Sequence, residues 1–376
     1  MKKFLCFFYV ICLFLGNLAF AEESIPIELS SPSAILLDTS GNIIFEKNSH
    51  DKREPASVTK IMTLLLTLEA IEDGKIDFTD IVTISELAAS QGGTQVYLET
   101  GEQISVEELI KSVAVSSAND AATALGEYIS GSREAFVELM NQRASELGMV
   151  DTTFKNPTGL HEDGHETSAY DIALMSVELL KHDVIYSYTT IWMDSIRDGE
   201  FELANTNKLL KTYDGMTGLK TGFTSEAMYC ISAVANRDGQ EFLAVVMGAE
   251  TSDLRSADIC KMLDYGFLNY KTQTLIYEEK LPEIIVLNGE QDSVEIEIKY
   301  TVQDFLLNIN SEITYEVKVE EELSAPIELE QKVGEIAFKN GEEELLRCDI
   351  VTKNEVSQLT FKTSLTRFLY TFFMKN

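Results

Sequence analysis

Pro55-Ala56-Ser57-Val58-Thr59-Lys60 opens the strongest helical stretch of the chain, Val58 to Ile71, which ends near Gly74. A serine at a helix start with a lysine three residues on places the amine one turn away, on the same face as the hydroxyl. Such a lysine serves as a general base when desolvation or a neighbouring cation lowers its pKa. Alone the pattern says little, because Ser49-His50-Asp51-Lys52 repeats it in a polar turn with no helix behind it.

Two further short patterns follow in order. Ser117-Ala118-Asn119 lies in the polar kink Ser116-Ser117-Ala118-Asn119, between helical stretches Val106–Val115 and Ala121–Ile129. By itself it reads better as helix capping, and Ser40-Gly41-Asn42 has the same form in a plain turn. Lys220-Thr221-Gly222 occurs once, inside Gly218-Leu219-Lys220-Thr221-Gly222-Phe223-Thr224. A lysine and a hydroxyl on a strand edge, beside a glycine that lets backbone approach, suit a ligand carboxylate. An ordinary exposed strand end is the plainer alternative.

Around these patterns the chain divides in two. Ala34–Asp38 and Asn42–Phe45 read as strands about the Thr39-Ser40-Gly41 turn. Met228–Asn236 and Glu241–Met247 flank Arg237-Asp238-Gly239-Gln240 as a hairpin, and Ala169–Leu180 and Ser252–Phe267 read as helices. From about Gln273 the helical signal stops. Val294–Tyr300, Ile313–Val319, Val333–Phe338 and Leu345–Val351 are short alternating strands between acidic turns, which predicts a separate small β domain. No repeat of 20–50 residues is apparent, so a solenoid is excluded.

Composition narrows the class. At 376 residues, 45% apolar and 24% charged, the chain is globular in composition and long enough for two or three domains. Its formal charge of −32 repels phosphate backbones and argues against nucleic-acid binding. Lys2 and Lys3, the apolar run Phe4–Leu15 and the triplet Ala19-Phe20-Ala21 have the layout of a signal peptide cleaved after Ala21. Cleavage removes two lysines and no acid, taking the charge to −34, and leaves Cys230, Cys260 and Cys348. Three dispersed cysteines make neither a disulfide framework nor a zinc site, and small buried apolar positions are expected for all three.

The tail reverses the charge. Residues 353–376 carry Lys353, Lys362, Arg367 and Lys375 against Glu355. Leu365, Phe368, Leu369, Phe372 and Phe373 share one helical face. The run is too short in apolar residues to span a bilayer. A basic amphipathic helix lying on anionic lipid accounts for both features, whereas a helix packed on the β domain accounts only for the phenylalanines.

Taken together and in order, the three patterns are the S-x-x-K, S-x-N and K-T-G signature of serine penicillin-recognising enzymes. The chain resembles the low-molecular-weight penicillin-binding proteins that act as serine-type D-alanyl-D-alanine carboxypeptidases. The resemblance runs from about Ala34 to the C-terminus and includes Glu54-Pro55-Ala56-Ser57, Gly92-Gly93-Thr94-Gln95, Asn156-Pro157-Thr158-Gly159-Leu160, Asn205-Thr206-Asn207-Lys208-Leu209-Leu210 and Asp264-Tyr265-Gly266-Phe267. One departure is Ala118, where the family usually has glycine.

The resemblance implies an α+β architecture: a β-lactamase/transpeptidase-like domain of helices on an antiparallel sheet, then a small all-β domain. The expected division is signal peptide 1–21, peptidase domain 25–272, β domain 273–352 and membrane-anchoring tail 353–376. It implies Ser57 as nucleophile, Lys60 as base, and Ser117 as proton relay to the leaving amine. Asn119 would bind the substrate amide, and Lys220 and Thr221 would hold the terminal carboxylate beside Gly222. The backbone N–H groups of Ser57 and Phe223 would form the oxyanion hole. The charge of Lys220 would help keep Lys60 neutral. The implied substrates are peptidoglycan stem peptides ending in D-Ala-D-Ala, with β-lactam antibiotics as acylating agents, outside the cytoplasmic membrane. No cofactor is expected.

Three rival readings remain open. His161-Glu162-Asp163-Gly164-His165 matches H-E-x-x-H, but that zinc motif requires a helix, and Pro157, Gly159 and Gly164 make this segment a loop. No metal is therefore expected there. A class A-like serine β-lactamase adds a deacylating glutamate on a loop between the second and third motifs; Glu166 and Glu202 lie in that interval, neither in a convincing version of that loop. A non-catalytic peptidoglycan-binding relative would have lost Ser57, Lys60 or Lys220, and all three are present.

Overall fold

A computed structural model describes residues 27–300 and 303–374. The expected signal peptide lies outside them, as does Lys375.

Five strands make the first sheet: β1 (Ser33–Asp38), β2 (Ile43–Lys47), β3 (Met216–Thr224), β4 (Met228–Arg237) and β5 (Gln240–Ala249). Their order is β2-β1-β5-β4-β3 and every neighbouring pair is antiparallel. Central strands covered on both faces need apolar residues at successive positions. In β5, Phe242, Ala244 and Val246 join one buried cluster while Leu243, Val245 and Met247 join another. The helix Ser252–Asn269 supplies Ile259, Met262 and Leu263 to the first face.

The second face carries the helical layer: α1 (Lys60–Glu72), α2 (Val106–Lys111), α3 (Asn119–Ser130), α4 (Arg133–Glu146) and α5 (Ala169–Leu180), followed along the chain by α6, the Ser252–Asn269 helix. Helix α1 is buried nearly all round, from Lys60 through Leu68, which is why its sequence is a continuous apolar run rather than a stripe. Each fully buried leucine there contributes about 1.5–3 kcal/mol of transfer free energy. A 3₁₀ turn, Ala56–Thr59, precedes the helix, so the expected start at Val58 becomes Lys60. The predicted kink after Val115 is a π-type turn, Ser112–Ser116, ending at Ser117 in the left-handed region with φ 65°. Such turns re-aim a helix at functional positions.

The β domain begins at Tyr270, whose strand to Thr274 pairs with Asp304–Asn308. Its main sheet is β6 (Ile296–Lys299), β7 (Ile313–Val319), β8 (Lys332–Asn340) and β9 (Glu343–Thr352), in the order β6-β9-β8-β7. Ile284, Ile336, Phe338, Cys348, Ile350 and Val356 form its core.

Two expectations need correction. The tail does not separate at 353: Val356 is buried and bridged to Ile327, Gln358 is bridged to Gly289, and the tail helix α7 begins only at Phe361. Among the cysteines, Cys230 and Cys348 are buried but Cys260 is only partly buried, because it sits one position round α6 from the inward-facing Ile259.

Candidate active site

Lys60 occupies the first turn of α1, and the preceding 3₁₀ turn holds Ser57 three residues back. Lys60 Nζ lies 2.9 Å from Ser57 Oγ, 2.6 Å from Asn119 Oδ1 and 2.7 Å from the Thr158 carbonyl oxygen. The lysine is fully buried, and among the described residues no carboxylate forms an ion pair with it. Burial, and secondarily the charge of Lys220, hold its amine well below the ordinary lysine range, against a smaller opposing pull from Asp120. Lys60 is thus poised to be neutral, the state a base requires.

Ser117 and Asn119 come from the turn between α2 and α3, both buried. The Asn119 amide donates to the Gly92 carbonyl at 2.7 Å, and its backbone N–H donates to the Thr94 carbonyl at 2.7 Å. The Gly92-Gly93-Thr94 block therefore fixes the asparagine whose oxygen faces Lys60. Gly93 has φ +75° and packs so that an added Cβ would lie 2.8 Å from Asn119 Nδ2, a fit that only glycine gives.

Lys220, on β3, donates from Nζ to Ser117 Oγ at 2.8 Å and to the Thr221 carbonyl at 2.9 Å. Burial and, secondarily, nearby Arg255 push its amine down to about 7. Thr221 Oγ1 lies 2.6 Å from Thr206 Oγ1. Asn207 in turn donates to the Gly218 carbonyl at 3.1 Å, tying the Asn205–Leu210 segment to β3. Gly222 lets the strand run against the Ser57 turn: an added Cβ would lie 2.9 Å from Ser57 N and 3.0 Å from both the Pro55 carbonyl and Val58 N. Phe223 is 52% exposed and stacks on Tyr229 at 4.4 Å between ring centroids.

The structure therefore brings the three motifs to one place. Ser57, Ser117, Thr221, Gly222 and Phe223 line a single open cleft of about 500 Å³, within the usual size of a ligand site. Two contributors were not read from the sequence. The Thr158 carbonyl is a backbone group, which residue types do not reveal. Arg255, on α6, lines the cleft at 7% exposure, and among the described residues its Nε has no hydrogen-bond partner. A buried guanidinium with an unmet donor suits a ligand carboxylate. Its only sequence signal was a basic residue in a helix, which solvated faces show too.

The decoys stand apart. Ser49 donates to Glu46 while Lys52 reaches Glu166, so that repeat of S-x-x-K forms no Ser–Lys pair. His161–His165 is a loop, as expected: His165 is buried 2.9 Å from Thr59 Oγ1, whereas His161 is exposed beside Glu54. The two imidazoles do not share a metal position. Neither Glu166 nor Glu202 lines the cleft.

Comparisons with known proteins agree with this geometry. The family model described as D-alanyl-D-alanine carboxypeptidase matches residues 19–251, and that described as penicillin-binding protein 5, C-terminal domain, matches residues 270–358. The chain is 42% identical to the D-alanyl-D-alanine carboxypeptidase DacF of Bacillus subtilis (strain 168), over 89% of this chain and 88% of that one. Among solved structures it is similar to penicillin-binding protein 6B from Escherichia coli, with TM-score 0.73 and 28% identity over 89% of this chain and 99% of that chain. It is also similar to penicillin-binding protein D2 from Listeria monocytogenes in the ampicillin-bound form, with TM-score 0.59 and 32% identity over 64% of this chain and 99% of that chain. The chain belongs to the serine D-alanyl-D-alanine carboxypeptidase family, the low-molecular-weight penicillin-binding proteins.

Proposed function

We propose that Ser57, Lys60, Ser117 and Lys220 carry out the removal of the terminal D-alanine from peptidoglycan stem peptides. The observation that carries this reading is the surrounding of Lys60 Nζ. As a neutral amine it donates its two hydrogens to Asn119 Oδ1 and the Thr158 carbonyl, at 2.6 and 2.7 Å, which turns its lone pair towards Ser57 Oγ at 2.9 Å. Ser57 Oγ attacks the carbonyl between the two D-alanines while Lys60 takes its proton. The oxyanion lies against the N–H groups of Ser57 and Phe223, brought together by the close approach at Gly222; losing one such donor costs about 10²–10³ in rate. The C–N bond then breaks, and the proton reaches the leaving amine through Ser117, which Lys220 holds. Water hydrolyses the resulting Ser57 ester and returns the serine.

In this reading Thr221, Lys220 and Arg255 receive the terminal carboxylate and Asn119 the substrate amide. A β-lactam carries a comparable amide and carboxylate, so it acylates the same serine. No cofactor enters these steps. Burial of Lys60 and Lys220, with no carboxylate partner among the described residues, supports the assignment, since an ion-paired lysine would stay charged. The serine β-lactamase reading has no glutamate in the cleft to favour it. Release of D-alanine from a D-Ala-D-Ala peptide, abolished by Ser57→Ala, tests the assignment.

The protein acts outside the cytoplasmic membrane, and α7 rests on the lipid surface. Supporting the latter, Phe361, Leu365 and Leu369 are 84%, 47% and 44% exposed, rather than packed on the β domain. Among the described residues no helix is long and apolar enough to cross a membrane, as an interfacial helix requires.

A further inference from the structure

Three side chains outside the catalytic set converge beside the segments that carry Ser57, Thr158 and Phe223. One ring nitrogen of His161 and one carboxylate oxygen each of Glu54 and Glu226 lie within 4.8 Å of one another. They come from three chain segments whose backbones are locked together. Gly159, with φ +81°, crosses the Ser57 turn so closely that an added Cβ would lie 1.8 Å from the Ala56 carbonyl. Glu54 is two residues before Ala56 and His161 two residues after Gly159, so the crossing sets them side by side, 2.9 Å apart. Gly222 packs on Pro55 and Ser57 in the same way, and Glu226 lies four residues on, in the turn between β3 and β4.

Charge makes the cluster unusual. Among the described residues neither Glu54 nor Glu226 pairs with a lysine or arginine, and His161 alone bonds Glu54. Two carboxylates in so small a space repel each other, in a chain of formal charge −32. A divalent cation would relieve that repulsion. One imidazole and two carboxylates, held by separate rigid segments and open to solvent, are a donor set for zinc, with water completing the coordination.

We propose that Glu54, His161 and Glu226 bind one zinc ion, which braces the segments carrying Ser57, the Thr158 carbonyl and Phe223. The site is separate from the H-E-x-x-H reading, which would need the buried His165. It takes no part in the serine chemistry, and its binding test does not depend on the catalytic roles assigned above.

The test is calorimetric titration of the chelator-stripped full chain with zinc chloride, alongside hydrogen exchange with and without the metal. One zinc per chain is expected, lost in His161→Ala and in Glu226→Gln. It should be retained in His50→Ala, which removes another exposed histidine beside a carboxylate, Asp151. Zinc should slow exchange at residues 54–57, 158–161 and 223–228 in the parent but not in His161→Ala. Covalent labelling by a fluorescent penicillin reports that each variant is folded. Absence of zinc binding to the parent, or binding that survives both substitutions, overturns the site; binding without slower exchange overturns the brace.

Discussion

Lys220 Nζ donates to Ser117 Oγ at 2.8 Å, joining two motifs that stand 103 residues apart in the chain. The contact places a second buried amine near Lys60, the one proposed as base. Since like charges disfavour ionisation, the second-largest influence lowering Lys60 is Lys220, after burial. Lys220 itself titrates at about 7, so its repulsion acts at and below neutral pH. Acylation by benzylpenicillin should therefore rise with pH through a group below the ordinary lysine range, as Lys60 loses its proton. In Lys220→Met the residual acylation should be slower, and its acid limb should move to higher pH. A limb that stays in place would separate Lys220 from the basicity of Lys60.

Ser57 is the expected site of the covalent adduct. Intact-mass measurement after benzylpenicillin should show one added penicilloyl group, and peptide mapping should place it on Ser57. Ser57→Ala should carry none. Ser49 should stay unmodified, because it is buried and hydrogen-bonded to Glu46 while Lys52 is turned to Glu166. An adduct on Ser49 would sink the assignment. Loss of the parent adduct within seconds would favour the β-lactamase reading.

Gly222 tests the oxyanion hole. An added methyl would meet Ser57 N, Val58 N and the Pro55 carbonyl at 2.9–3.0 Å, and backbone atoms yield less readily than a flexible side chain. Gly222→Ala should push β3 off the nucleophile turn and cut the acylation rate by about 10²–10³, the usual cost of one lost donor. Its circular dichroism should remain native. Acylation at the parental rate would show that the two segments need not touch.

His165 should contribute to acid lability. Burial, helped by Lys155, pushes it down from 6.5 to about 4. Between those values the unfolded chain binds the proton and the folded chain does not, so stability falls as pH drops through that window. At about 1.4 kcal/mol per unit, the loss is of order 3 kcal/mol. Denaturant midpoints for the parent and His165→Gln, measured from pH 7 to pH 4, should converge as the pH falls. Parallel curves would assign the acid sensitivity to other groups.

The sequence made some of this legible and hid the rest for physical reasons. Ser57 and Lys60 could be paired because helical spacing ties residue number to a face. Lys220 needed the company of the other motifs, since one strand lysine usually points to water. Arg255 could not be found, because its number along α6 does not say that its guanidinium lies under the cleft. The Thr158 carbonyl was equally silent, being backbone brought to Lys60 by the Gly159–Ala56 crossing. The β domain showed itself through alternation in β7 to β9. Its last segment did not, because Val356 and Gln358 are held by isolated bridges rather than a strand.

That segment decides where to cut the tail. Val356 is buried in the β domain and the Leu359 N–H donates to the Asn288 carbonyl at 2.8 Å, so a chain ending at Thr352 would lose domain contacts along with the helix. A chain ending at Thr360 removes α7 alone. Residues 22–376 should co-sediment with vesicles rich in anionic lipid, through apolar burial of Leu365 and its neighbours and attraction of Lys362 and Arg367 to the headgroups. The electrostatic part should weaken with added salt, since exposed charges are screened over about 8 Å at physiological ionic strength. The chain ending at Thr360 should remain in the supernatant and still take up one penicilloyl group, because α7 is remote in sequence from every residue of the cleft. Equal sedimentation of the two chains would place the lipid contact elsewhere, or show that there is none.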